Sequence, residues 1–351
     1  MSVKDRRSYP SKISTGLGKS LSFIRAGFRV IASKYLGKKP PVFLIFELTH
    51  SCNSRCLYCA RWKETESAPI DTGEVKRILF EAKELGLIRA YFTGGEVFLR
   101  KDLSEILVFC KELGIKTEVW SNGYFIPGEQ HVLDLVDSIS LSLDGKAAKH
   151  DRLRGSGSFA DTLLAAKLAK EKNVAVSFNF TLTSYNAGGF MEAFDIARSL
   201  DATLGFQPVA DMFGCSQDVA MLIPSHEEFK LELDQVIAIK KEFPLVIENS
   251  LAQLSSLKSW PNIKRWSCLH GKAIFTVLPD GKIVNCTNGK ELSSAIDLKQ
   301  HSLEDALRNL PSSEGCGGCF CYAAFDASGA GGILPISPEV FNFYVSRKWI
   351  N

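Results

Sequence analysis

The sequence predicts an α/β fold: a partial (β/α)6 barrel followed by a small cysteine-rich domain. Three observations lead there. Short apolar runs alternate with segments of helical period from residue 41 to residue 206, as in parallel strands joined by crossover helices. Gly86 and Gly114 stand where the first two barrel helices need a left-handed residue to end. Eight of the 10 cysteines fall in two groups, three between positions 52 and 59 and five between 268 and 321. Candidate metal ligands therefore occur in both parts of the chain.

The elements follow in order. Residues 1–18 are polar, rich in Lys, Arg, Ser and Gly, and expected to be mobile. Residues 19–37 predict a helix with Ile24, Phe28, Ile31 and Tyr35 on one face and Arg25 and Arg29 beside it. Such a helix packs against the main domain, or lies on a membrane surface or a lipid-like substrate. Val42–Leu48 is a nearly continuous apolar run, as suits a strand covered on both faces. Helix Thr72–Leu85, strand Ile88–Thr93, helix Leu103–Leu113, strand Lys116–Ser121 and helix Glu129–Val136 come next. Strand Ser138–Leu143, helix Phe159–Lys172, strand Ala175–Leu182, helix Phe190–Leu200 and strand Thr203–Phe206 complete the series. Six strands with right-handed crossovers form a parallel sheet that closes fully or partly into a TIM-like barrel, with its chemistry at the C-terminal strand ends. The expected divisions are an N-terminal tail and helix (1–40), the barrel (41–224), a helical bridge (225–266), a cysteine domain (267–322) and a Gly-rich tail (323–351). The cysteine domain opens with a hairpin, Ala273–Leu278 and Lys282–Asn285 around Pro279-Asp280-Gly281.

Composition narrows the function classes. A net charge of +3 is too small to point to nucleic acid. No run of 18 apolar residues exists, so no transmembrane helix is expected, and Arg25 and Arg29 break the N-terminal apolar stretch that a signal peptide needs. Close cysteine groups in a long chain read as metal sites in a reducing compartment rather than as disulfides. A cytoplasmic protein is expected, with peripheral membrane contact through residues 19–37 as the variant.

Cys52, Cys56 and Cys59 have the spacing C-x3-C-x2-C directly after the first strand, which places them on the first loop at the top of the barrel. Three thiolates on one loop can hold three irons of a 4Fe–4S cubane. The fourth iron is then open to the amino and carboxylate groups of a small molecule. A structural zinc site would want a fourth ligand, and only His50 lies near. Gly94-Gly95-Glu96 follows the second strand. Two glycines let backbone approach a ligand, and a carboxylate can pair with an ammonium. Later strands end in Trp120-Ser121-Asn122-Gly123 and Ser140-Leu141-Ser142-Leu143-Asp144-Gly145, and then comes His150-Asp151-Arg152-Leu153-Arg154-Gly155. Taken alone, Asp144, His150 and Asp151 read as turn and cap residues. Asn179 and Thr181 alternate on the fifth strand and face one way.

Together these segments resemble the radical SAM superfamily over residues 41–210. The resemblance lies in the cysteine motif, Tyr58 before the third cysteine, the GGE motif, a T-N-G-like turn, an S-L-D-G strand end and an H-D-x-x-R-G segment. Val97 stands where many relatives have Pro, and Ser121 where many have Thr. The resemblance implies a 4Fe–4S cluster on Cys52, Cys56 and Cys59. It implies S-adenosylmethionine (SAM) held by Tyr58, Gly94, Gly95, Glu96, Ser121, Asn122, Ser142 and Arg154. It also implies reductive cleavage of SAM, hydrogen abstraction by a 5′-deoxyadenosyl radical, and a reductant such as flavodoxin or ferredoxin.

In the C-terminal group the hairpin brings Cys268 and Cys286 together, and Cys316 and Cys319 form C-x2-C with Cys321 close behind. The pattern C-x12-G-x4-C followed by C-x2-C resembles the SPASM/twitch modules of radical SAM enzymes. No cysteine follows Cys321, so the shorter, one-cluster twitch form fits. This implies a second, auxiliary 4Fe–4S cluster on Cys268, Cys286, Cys316 and Cys319, with Cys321 as a replacement ligand or a spare. A zinc ribbon is the other use of such spacing. Cys110, on an apolar helix face, reads as a core residue, and Cys215 as structural.

The substrate classes expected from the resemblance are a peptide, a sugar or a lipid-like small molecule. The N-terminal segment is shorter than the leader-binding domain of some peptide maturases, which counts against a peptide. Lys34–Leu48 is similar to radical SAM enzymes of hopanoid lipid synthesis, which favours a lipid. No residue declares itself a catalytic acid or base. The alternative is a non-enzymatic iron–sulfur or zinc protein, or an electron carrier, neither of which needs the SAM pocket implied by Gly94–Glu96 and Ser142.

Overall fold

The computed structural model describes residues 39–64, 69–209, 219–262, 268–286, 294–311 and 321. Six parallel strands form the barrel: β1 (Phe43–Thr49), β2 (Arg89–Gly94), β3 (Lys116–Ser121), β4 (Ser138–Ser142), β5 (Ala175–Leu182) and β6 (Thr203–Pro208). Within the described residues the sheet order is β6-β5-β4-β3-β2-β1-β7-β8-β9, so β6 does not close onto β1 and the barrel is partial. The other edge of β1 is taken by β7 (Ile274–Val277), in parallel register Phe43↔Ile274 to Phe46↔Val277. The C-terminal hairpin, β7 with β8 (Lys282–Val284), thus continues the barrel sheet, and β9 (Ile296–Asp297) adds a further antiparallel strand.

The period-2 alternation of each strand sorts its side chains. Leu44, Phe46, Leu48, Ala90, Phe92 and Val119 pack with Val75, Ile78, Leu79 and Ala82 of α1 (Thr72–Leu85) and with Ile106, Leu107 and Cys110 of α2 (Leu103–Glu112). Cys110 is a buried core residue. Helix α1 starts where Asp71 Oδ1 accepts from Glu74 N at 2.8 Å and stops at Gly86, φ 107°, the stop that the sequence predicts. Glu47, Arg89, Tyr91, Thr93, Glu118, Trp120, Ser140, Ser142 and Asn179 alternate with these core positions and so line the concave face.

The helix expected at Glu129–Val136 is instead a pair of 3-10 turns, Ile126–Gly128 and Gln130–Asp134. The backbone leaves the helical region at Glu129, φ −122° and ψ 34°, between the two turns, while Val132 and Leu133 still bury. A helix α3 (Ala147–Arg154) occupies the segment read only as a motif, and α4 (Ser158–Glu171) and α5 (Phe190–Ser199) cover β5 and β6. The bridge holds α6 (His226–Glu242), opened by a capping box of Ser225 and Glu228, and α7 (Leu251–Ser256). Helix α8 (Leu303–Asn309) docks on α1, its Leu303 N–H donating to Glu81 Oε2 at 2.7 Å. The expected helix at 19–37, Cys215 and the tail 323–351 lie outside the described residues. Among the described residues no helix is long and apolar enough to cross a membrane.

Candidate active site at the C-terminal ends of the strands

The segment carrying Cys52, Cys56 and Cys59 leaves the C-terminal end of β1 and is fixed from two sides. On one side, Gly95 N–H donates to Thr49 O at 2.6 Å and Glu96 N–H to Ser51 O at 2.8 Å. These contacts need the glycines. A Cβ on Gly94, whose φ is +139°, would meet Thr49 O at 2.1 Å, and one on Gly95 would meet Ser51 O at 2.2 Å and His50 O at 2.5 Å. The space that the GGE motif leaves is thus filled by the backbone of the cysteine loop itself. On the other side, Leu57 N–H donates to Leu153 O of α3 at 2.9 Å.

Glu96 is buried. Its Oε1 accepts from Ser121 Oγ at 2.9 Å and from Phe98 N at 3.3 Å, and its Oε2 accepts from Asn122 N at 2.9 Å. Burial pushes its carboxyl up to about 7, against the pull of those three donors. Asn122 in turn donates through Nδ2 to Asn53 Oδ1 at 2.8 Å and to Ser54 Oγ at 3.2 Å, both inside the cysteine loop. Glu96, Ser121 and Asn122 therefore form one network that ends on that loop.

The third element is a buried set around Asp144, which follows β4. Arg154 Nε donates to Asp144 Oδ2 at 2.6 Å, Tyr58 Oη donates to the same oxygen at 2.7 Å, and Thr181 N–H donates to Oδ1 at 3.0 Å. Arg154 Nη2 also donates to Tyr58 Oη, and Arg154 Nη1 lies 3.8 Å from Cys56 Sγ. Burial holds the Tyr58 phenol well above its usual range, so it stays a donor to Asp144. Burial likewise pushes the Cys56 thiol up to about 11, and the Arg154 charge works against that rise. His150 is buried and held down at about 4, first by burial and then by Arg154, so its neutral Nδ1 accepts from Asp144 N at 3.2 Å. Asp151 accepts from Gly157 N and Phe159 N, both at 2.8 Å, and caps α4. His150 and Asp151 are turn and cap residues. Asp144 is more: it connects the tyrosine before the third cysteine to an arginine beside the second. Only its place before Gly145 at a strand end hinted at this.

The donor set suits a cubane better than a single ion. Among the described residues no three His, Cys, Asp or Glu side chains converge into a group that could hold one metal ion, whereas in a 4Fe–4S cluster each thiolate takes its own iron. Cys52, Cys56 and Cys59 form no disulfide. One acceptor is also unspent: Asn179 Oδ1 is buried without a hydrogen-bond partner, on the strand that places Asn179 beside Ser142. A ligand hydroxyl at that end of the sheet would satisfy it.

The described cysteines of the second group lie toward the opposite end of the strands. Cys268 and Cys321 pack against the same small cluster, Val42, Leu269, Ala273 and Ile274, at the N-terminal ends of β1 and β7. His270 N–H approaches Cys268 Sγ at 3.4 Å, and His270 Nδ1 lies 3.1 Å from Asn285 O, next to Cys286. Cys316 and Cys319 lie outside the described residues.

Residues 46–195 match the family described as the Radical SAM superfamily. A PqqA peptide cyclase of Granulibacter bethesdensis is 27% identical over 287 residues, covering 78% of this chain and 75% of that protein. An AdoMet-dependent heme synthase of Oleidesulfovibrio alaskensis is 31% identical over 166 residues, covering 45% of this chain and 43% of the other. Among solved structures, Streptococcus suis SuiB bound to S-adenosylmethionine aligns with a TM-score of 0.65 at 16% identity, over 84% of this chain and 71% of that one. The enzyme anSMEcpe with bound AdoMet aligns with a TM-score of 0.61 at 17% identity, over 77% and 81%. At those identities the structural likeness is one of fold.

Proposed function

The chain belongs to the radical SAM superfamily, and from that premise we propose that it cleaves SAM at a 4Fe–4S cluster on Cys52, Cys56 and Cys59 in order to modify a peptide. What supports the site most is the double clamp on the cysteine loop, by Gly94–Glu96 on one side and by α3 with Arg154 on the other. Radical hydrogen abstraction from the substrate is the chemistry that a bound cluster and SAM would supply. The protein's part is to hold and to exclude. Tyr58, Asp144 and Arg154 fix the loop around the second and third cysteines, and Arg154 brings positive charge to the Cys56 sulfur. Ser142 and Asn179 offer polar atoms to the hydroxyls of SAM, and Glu96, backed by Ser121 and Asn122, offers a carboxylate to its ammonium.

A peptide substrate is favoured over a sugar or a lipid because the relatives matched over most of the chain are named PqqA peptide cyclases and a neighbour in fold was solved with a precursor peptide. A flavodoxin or ferredoxin is the proposed reductant. We also assign an auxiliary 4Fe–4S cluster to Cys268, Cys286 and Cys321 with a fourth ligand from Cys316 or Cys319, so that Cys321 is a replacement ligand rather than a spare. The shared packing of Cys321 and Cys268 supports that choice. Anaerobic reconstitution of the full chain should give about eight irons, two cubanes' worth, and the C52A/C56A/C59A variant should keep about four. Wild-type protein that saturates at about four irons would overturn the auxiliary cluster.

A further inference from the structure

Trp120 is unusual for a residue near the middle of a parallel sheet. It is 38% exposed, while Val119 before it is fully buried and Ser121 after it is 8% exposed. Helices cover the Val119 face, so the indole stands on the concave one. Its orientation is fixed. Trp120 Nε1 donates to Glu118 Oε1 at 2.7 Å. Glu118 Oε2 accepts from Arg89 Nη1 at 3.1 Å and from Ser138 Oγ at 3.0 Å, and all three of these residues are buried. Tyr91 stands edge-on to the indole, with centroids 5.9 Å apart.

The neighbours in the sheet are small. Ser140 pairs with Trp120 on β4, and on β2 the register Phe92↔Val119 sets Thr93 alongside it. A large ring flanked by Thr and Ser, held at its edge and open to solvent, leaves room for a planar group above it. A buried ion pair brings no assured gain in stability. Here Arg89 and Glu118 hold the indole nitrogen in place.

We infer that Trp120 is a specificity-determining residue: a pre-oriented platform that stacks an aromatic side chain of the substrate, with Glu118 and Arg89 as its positioning residues. The inference rests on the peptide reading proposed above for the nature of the molecule that carries the ring. An aromatic guest fits because Tyr91 already packs edge-on to the indole and leaves the exposed part of Trp120 to a second ring. Offset or edge-on contact with Trp120 and Tyr91 is the geometry such a guest would adopt.

The test uses reconstituted holoenzyme with SAM and no reductant, so that probe binding is scored apart from SAM cleavage. Affinities for N-acetyltyrosinamide, N-acetylleucinamide and N-acetylargininamide are compared by ligand-observed NMR. The tyrosine probe should bind tightest. Trp120→Ala should weaken it about two- to tenfold, the span of one aromatic pair, and leave the leucine probe unchanged. Trp120→Phe should retain most of the preference, which guards against a Trp120→Ala variant that fails to fold. Iron content and thermal midpoint verify each variant. Equal binding of the tyrosine and leucine probes to wild type would overturn the inference, as would tighter binding of the arginine probe or an undiminished tyrosine preference in a folded Trp120→Ala protein. If SAM cleavage fails but the tyrosine preference and its loss stand, the platform survives and the proposed reaction does not.

Discussion

Gly95→Ala attacks the clamp on the cysteine loop without altering a cysteine or a charge. The added methyl would lie 2.2 Å from Ser51 O and 2.5 Å from His50 O, distances that no side-chain motion can relieve because both atoms are backbone. Forcing a methyl into a packed site costs about 1–3 kcal/mol. The loop can retreat only by giving up the bonds from Gly95 N to Thr49 O and from Glu96 N to Ser51 O, each worth about 1 kcal/mol net. By either route the loss is about 1–3 kcal/mol, concentrated on the segment that carries Cys52. Thermal unfolding and iron analysis of the reconstituted variant read it out. The midpoint should fall, and the iron lost should be that of the first cluster, leaving the auxiliary complement in place. A Gly95→Ala protein with the wild-type midpoint and full iron would show that the glycines do not serve to seat the loop.

Two further predictions concern the buried charges. Asp144→Asn leaves the Arg154 guanidinium buried without its carboxylate and should cost about 3–5 kcal/mol in unfolding free energy, with weaker SAM binding by equilibrium dialysis. A variant as stable as wild type would mean that Arg154 is satisfied elsewhere. Glu96 gives a pH test. Its folded value, about 7, lies above its ordinary 4.5, so its contribution is present below about pH 4.5 and is lost as pH rises through about 7. Measured without SAM, wild type should therefore lose thermal stability relative to Glu96→Gln across that window, and a difference that stays flat with pH would contradict the assignment.

Much of the fold could be read in the chain because its signals are local. The spans Thr72–Leu85, Lys116–Ser121 and Ala175–Leu182 coincide with the predicted ones, since an Asp71 cap, a Gly86 stop and clean periodicity act within a few residues. Val132 and Leu133 carried a helical pattern, yet the backbone breaks at Glu129 and the segment closes as two 3-10 turns. Helix α3 escaped notice because few of its residues bury. The pairing of β7 with β1 joins residues more than two hundred positions apart, and no local pattern encodes it. The candidate-site residues were legible as types and spacings, but not in their partners. Tyr58 meets Asp144 and Arg154 across 86 and 96 positions, and the close approach of the cysteine-loop backbone to Gly94 and Gly95 is announced by no spacing.

The central claim is that the loop of Cys52, Cys56 and Cys59 carries the cluster at which SAM is cleaved. Anaerobically reconstituted wild type and the C52A/C56A/C59A variant should be given SAM and dithionite, and 5′-deoxyadenosine quantified by chromatography. Wild type should form it in amounts comparable to the enzyme or more, and the variant, its remaining iron intact, should form none. Equal 5′-deoxyadenosine from both proteins, or none from a wild-type protein with a full iron complement, would contradict the account.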